Sequence, residues 1–239
     1  MPLKRKRQTA PPLQDQLYSK IKKELTNQPP SRAVITKEEK QQRKEAHCEP
    51  FMPRSALESL VQHERVKADL DGLLGDRDDN EELARYVVDR ASKAFLTAIY
   101  IQAIRVEDGE PCIKLLYEGD FRDMNLPVHL IRNEDEFDPY EVCANGSDTA
   151  LECFSDWGML LKEQYEEKQW VFLAPTFDEG DFNYEFHENE PIPFVYMFNP
   201  APARGFFSKV FKLGLRTDHL RVNQRSFQLV RAIFPVCVR

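Results

Sequence analysis

The chain has 239 residues, of which 41% are hydrophobic and 31% charged, with sixteen prolines and a formal net charge of −7, so it can bury a core while part of its length stays outside it. Residues 1–50 carry twelve Lys and Arg against six Asp and Glu, and the remainder 21 against 34; the acidic part excludes a broad nucleic-acid surface, which needs clustered positive charge. The five cysteines, at 48, 112, 143, 153 and 237, form no C-x-x-C pair and have no histidines at zinc-site spacing. No apolar run has bilayer-spanning length or makes a signal-peptide core, which together predicts a reduced, soluble, intracellular protein with no membrane partner.

Taken in order, Met1 to Arg54 is rich in Lys, Gln and Pro and poor in aromatics, and reads as a disordered basic tail, with transient helix at Asp15 to Leu25 and near Thr36 to Ala46. Lys4-Arg5-Lys6-Arg7 reads either as a nuclear-import or polyanion-binding cluster or as a solvated tail. Ser55 and Glu58 have the spacing of a capping box at a helix start, so the second region, residues 55–175, is expected to be a helical accessory domain. Leu83, Val87, Ala91, Ala94, Phe95, Ala98 and Ile99 recur at helical spacing and predict one long amphipathic helix from Glu81 to about Arg105.

Shorter helices are expected at Pro111–Glu118 and Arg122–Asn125, the second ended by Pro127. Asn133 to Ser147 is acidic and turn-rich and reads as a mobile loop. Ser155 or Asp156 is expected to cap a helix running to Lys168, with Trp157, Leu160, Leu161 and Tyr165 on its apolar face and Glu163, Glu166 and Glu167 on a solvated one. Trp157 and Trp170 read as core anchors, and Trp170 as a possible docking residue. Phe182, Tyr184 and Phe186 alternate with polar residues and predict a strand. His187 and His219 stand alone, as surface or hydrogen-bonded residues rather than ligands or bases.

Residues 176–239 read as β-rich. Ala203-Arg-Gly-Phe-Phe-Ser-Lys-Val-Phe-Lys212 resembles the glycine-rich hairpin that opens a protein kinase domain, patterned G-x-G-x-[FY]-G-x-V. Aligned on Val210, Phe207 takes the loop tip, Gly205 the second glycine, Ser208 the third and Ala203 the first, and Val210 to Arg216 continues as the second strand. The words upstream, Trp170-Val-Phe-Leu-Ala-Pro-Thr-Phe177 and Pro191-Ile-Pro-Phe-Val195, resemble the segment preceding the catalytic domain in a group of filamentous-fungal protein-kinase-domain proteins. The likeness extends over Leu57 to Leu229.

The resemblance implies a mainly α fold with a small α+β C-terminal part, whose few antiparallel strands begin a kinase small lobe. It implies Gly205, Phe207, Ser208 and Val210 as a degenerate cofactor-binding loop, with ATP and magnesium as the family's cofactors. The catalytic apparatus is missing: Val230 takes the slot of the strand lysine, Arg231 falls one residue late, and neither H-R-D nor D-F-G follows. Pro235 interrupts the strand or helix expected next, as a prematurely ended or misassigned frame would. No catalytic residue and no metal site is therefore assigned. The expected function is that of a non-catalytic, truncated relative acting through a protein partner, or docking on the kinase lobe in a full-length relative. The alternatives are a weak ATP-binding, pseudokinase-like module and a nuclear adaptor using the basic tail.

Overall fold

The structure, a computed structural model, describes residues 13–26, 50–106, 109–132, 140–178, 187–191, 193–198, 209–221 and 231–234. It is mainly helical with small, mostly antiparallel sheets, and divides into two units. The first combines residues 1–23 and 60–168, and the second residues 24–59 and 169–239.

α1 (Leu13–Thr26), whose residues 13–23 belong to the first unit, is a formed helix, and within that unit its Leu17 and Ile21 are buried. This corrects the expectation of transient helix there, since two aliphatic side chains one turn apart supply the tertiary burial that a short isolated helix lacks. α3 (His63–Leu74), which follows α2 (Arg54–Leu60, described below), ends where Gly75 takes φ 88°, a left-handed value open to glycine. α4 (Asn80–Arg90) begins with a buried asparagine whose Nδ2 donates to the Gly75 carbonyl and to Asp71 Oδ1, both at 2.8 Å, which ties the α3–α4 turn closed.

The helix expected from Glu81 to Arg105 is two helices, α4 and α5 (Ser92–Tyr100), broken at Ala91 with φ −136°. Local side-chain bonds compete with the helical ladder at this point. Ser92 Oγ donates to the carbonyls of Val87 and Val88, while the Asp123 carboxylate accepts from the backbone N–H of Lys93 and Ala94. The apolar stripe survives the break: Leu83, Val87, Ala91, Ala94, Phe95, Ala98 and Ile99 are all buried.

α6 (Cys112–Glu118) follows Pro111, and a short 3-10 turn at Asp123–Asn125 replaces the last predicted small helix. The loop expected at Asn133 to Ser147 contains a strand, β2 (Tyr140–Cys143), paired antiparallel with β1 (His129–Arg132). α7 (Met159–Lys168) begins later than Ser155, because a 3-10 turn at Glu152–Phe154 intervenes. From α7, Lys162 Nζ donates to the Tyr140 carbonyl and Glu166 accepts from Leu130 N–H, so residues one turn apart fasten both strands of the hairpin. Around Phe154 gather Phe121, Trp157 and Tyr165, with ring centroids 4.8 to 5.3 Å from it. This is the aromatic core of the unit, and Trp157 anchors it as expected although it precedes the helix.

In the second unit a 3-10 turn at Gln169–Phe172 leads to β3 (Phe177–Asp178), which pairs in parallel with β6 (Leu220–Arg221). β4 (Phe194–Phe198), β5 (Lys209–Leu215) and β7 (Arg231–Phe234) form an antiparallel sheet in the order β4-β5-β7. The strand expected over Phe182, Tyr184 and Phe186 lies outside the described residues.

Candidate functional site

Of the loop residues that the sequence singled out, Gly205, Phe207 and Ser208 lie outside the described residues. Val210 is the second residue of β5, opposite Ile233 of β7. Val230, in the lysine slot, is also outside the described residues, and Arg231 opens β7 opposite Lys212. The segment read as the hairpin's second strand is therefore a strand.

The polar arrangement that the described residues do build in this unit centres on His219. Its ring is buried, with Nδ1 2.8 Å from the Pro175 carbonyl and Nε2 3.0 Å from the backbone nitrogen of Arg54. A carbonyl only accepts, so Nδ1 must carry the proton and Nε2 must accept from Arg54. The Phe51 ring meets the imidazole edge-on at 5.4 Å. Burial depresses the His219 pKa below its usual 6.5, because protonation would charge a desolvated ring. The sequence expectation of a hydrogen-bonded histidine holds, but the surface alternative does not.

Next to it, Asp218 Oδ2 accepts from Ser55 N–H at 3.2 Å and from Ser55 Oγ at 2.7 Å, and the carboxylate pairs with Arg216 Nε at 2.9 Å. Burial acts to raise this carboxyl, but the bonds from Arg216 and Ser55 outweigh it and hold the pKa at about 2. The first N–H groups of α2 are thus satisfied by Asp218 and His219, and the capping box read at Ser55 and Glu58 is not formed. Ser55 turns to Asp218, and Glu58 pairs with Arg54 at 2.8 Å. The signal for this remote cap, Thr217-Asp-His219, has no local pattern that links it to residue 55.

Asp123 plays the same part in the first unit. Burial raises its pKa, opposed by the backbone N–H groups of Lys93, Ala94 and Ser92. Sequence spacing missed this role as well, since the amides it caps lie 30 and 29 residues earlier.

The remaining candidates have structural environments. Glu166 is engaged with Leu130, and Glu167 pairs with Lys168. Trp170 stacks on the exposed His187, with ring centroids 4.4 Å apart. Cys112, Cys143 and Cys153 are buried free thiols, and burial pushes Cys112 and Cys153 up to about 12, far from the thiolate form that reacts or binds metal. Cys48 and Cys237 lie outside the described residues. Leu160, expected on the apolar face of α7, is 63% exposed, and Met124 and Met159 are exposed with it. Among the described residues, no cluster of three or more His, Cys, Asp or Glu side chains is placed to hold a metal, and no helix is long and apolar enough to cross a membrane.

The chain matches no protein-family profile, no characterised protein and no solved structure.

Proposed function

We propose that this chain acts by protein interaction, as a non-catalytic relative of the kinase-domain proteins that its Trp170–Val195 and Ala203–Lys212 segments resemble. The observation that carries this reading is how three titratable side chains drawn into the protein are used. The buried His219 and the half-buried Asp123 and Asp218 have lone pairs taken up by backbone N–H groups at a helix start. A general base needs a lone pair facing a substrate proton, and these groups are held where they hold the fold. The exposed Met124, Met159 and Leu160 supply adaptable apolar contact area instead.

Two measurements test the proposal. Calorimetric titration with Mg-ATP is expected to give no micromolar binding, and purified chain is expected to transfer no labelled phosphate to a generic acceptor. The native chain is also expected to enhance the fluorescence of an apolar-surface dye, and the double substitution Met159→Glu, Leu160→Glu to remove the enhancement. Micromolar ATP affinity, genuine phosphoryl transfer, or a native chain that leaves the dye dark would each overturn it.

A further inference from the structure

We infer that the outward face of α7 is a docking strip for a basic amphipathic helix of a partner protein. The inference rests on the protein-interaction reading and adds to it the surface and the chemistry of what fits there.

The start of α7 is inverted with respect to polarity. Lys162 is 4% exposed and donates to the Tyr140 carbonyl, while Leu160, two residues before it, is 63% exposed and Met159 47%. The helix cannot roll to exchange them. Tyr165 is fully buried and Glu166 accepts from Leu130 N–H, so three side chains on one face fix its rotation. The opposite face is thereby held toward water. At helical spacing it carries Leu160, Glu163 and Glu167, with Met159 at its edge; Glu163 is half-buried and Glu167 exposed.

Charge selects the occupant. Residues 140–168 contain seven Asp and Glu against two Lys, and neither lysine neutralises the strip. Lys162 is turned inward, and Lys168 pairs only with its neighbour Glu167, in an exposed contact that a partner's cation can replace. Asp156, exposed, stands three residues ahead of Met159. The strip therefore has an apolar end rimmed by a carboxylate and an acidic end one and two turns further along. Its complement is a helix with leucine-sized residues against Met159 and Leu160, followed by Lys or Arg against Glu163 and Glu167. The flexible Met159 adapts to the shape of the apolar contact. Nucleic-acid phosphates and anionic lipid are repelled by the same carboxylates. Because the rotation of α7 is fixed before binding, the strip loses little conformational freedom when it is covered.

The test uses the full chain and two probes, a fluorescent peptide of about fourteen residues built from leucine and lysine at helical spacing, and its twin with glutamate for lysine. Fluorescence anisotropy is expected to show micromolar binding of the lysine peptide and at least tenfold weaker binding of the twin. Met159→Glu with Leu160→Glu is expected to weaken the lysine peptide at least fivefold although it adds negative charge. Asp156→Lys with Glu163→Lys is expected to do the same, whereas Asp76→Lys with Asp78→Lys, an equal charge change at exposed positions of the α3–α4 turn, is expected to leave affinity within twofold. Equal binding of both peptides, or an Asp76 and Asp78 variant as weak as the Asp156 and Glu163 variant, overturns the inference. Should a variant lose its circular dichroism, a benzophenone on the lysine peptide decides on the native chain: crosslinks mapped by mass spectrometry are expected within residues 156–167, and crosslinks elsewhere alone overturn it. A native chain that lights the apolar-surface dye but ignores the lysine peptide overturns the docking strip and leaves the protein-interaction reading standing; a chain that leaves the dye dark overturns both.

Discussion

Removing the Asp123 carboxylate is the sharpest test of how the broken helix is held. Asp123 Oδ1 accepts from Lys93 and Ala94 N–H, each at 3.0 Å, and Oδ2 accepts from Lys93 at 3.0 Å. Asp123→Ala leaves these donors without a partner, and Ala94 is fully buried. Each orphaned donor costs about 1–3 kcal/mol, while the substitution also relieves the desolvation that raises this carboxyl. A net loss of roughly 2–4 kcal/mol is expected, at or above the upper end for a lost helix cap because two donors are orphaned. Asp123→Asn keeps Oδ1 for both donors and drops the charge, so it should cost less than about 1 kcal/mol.

The sign of the pH dependence follows from the raised pKa. The folded state holds the Asp123 proton more tightly than the unfolded state, so its contribution is fully present below 3.8 and is lost as pH rises through the folded pKa. Wild type should therefore lose ground to Asp123→Asn as pH rises through that window. Urea unfolding followed by tryptophan emission reports the first unit alone in a Trp170→Phe background, because the chain has two tryptophans and Trp157 is buried in that unit. An Ala variant within about 0.5 kcal/mol of wild type, or an Asn variant as costly as Ala, would refute the cap.

In the second unit, Asp218→Ala should cost about 2 kcal/mol at neutral pH, the scale of lowering its carboxyl from 3.8 to about 2. That stability is present above 3.8 and is lost as pH falls toward 2; a flat acid profile between those values would contradict it. His219 has the same sign: its contribution is complete above pH 6.5 and falls away as pH drops through the depressed folded pKa. Faster exchange of the Arg54 and Ser55 amides at pH 5 than at pH 7.5, after correction for intrinsic rates, is the expected readout. Gly119→Ala should destabilise by about 1–3 kcal/mol, since an added Cβ would stand 2.7 Å from Cys153 Cβ; Cys153→Gly in the same chain should restore part of the loss in a thermal melt. Cys112, Cys143 and Cys153 are buried, so alkylation mapped by peptide mass should modify them only as fast as the first unit opens.

Periodicity made the apolar stripe from Leu83 to Ile99 readable, because burial on one helical face repeats every 3.6 residues whether or not the helix is continuous. The break at Ala91 was not readable, since its cause sits at Asp123. Trp157 could be recognised as core from its size, yet Leu160, at good helical spacing from it, faces water, because α7 starts only at Met159 and turns its Lys162 inward to the Tyr140 carbonyl. The β1–β2 pair was hidden in a stretch read as acidic loop. Its strands are four residues each, too short for alternation to stand out, and α7 bonds to both of them. His219 could be seen as an isolated histidine, but its two partners, Pro175 and Arg54, lie 44 and 165 residues away in sequence.

That last separation has a consequence during synthesis. Ser55 leaves the ribosome 163 residues ahead of the aspartate that receives its N–H, and at translation speeds of ~5–20 residues per second the interval is about 8 to 33 s. Through that time the leading turn of α2 has only water to bond with, so the nascent second unit cannot close from its front. Its completion waits on codon 218, and a ribosome stalled before it would hold an open α2 start when every residue of the first unit has already been made.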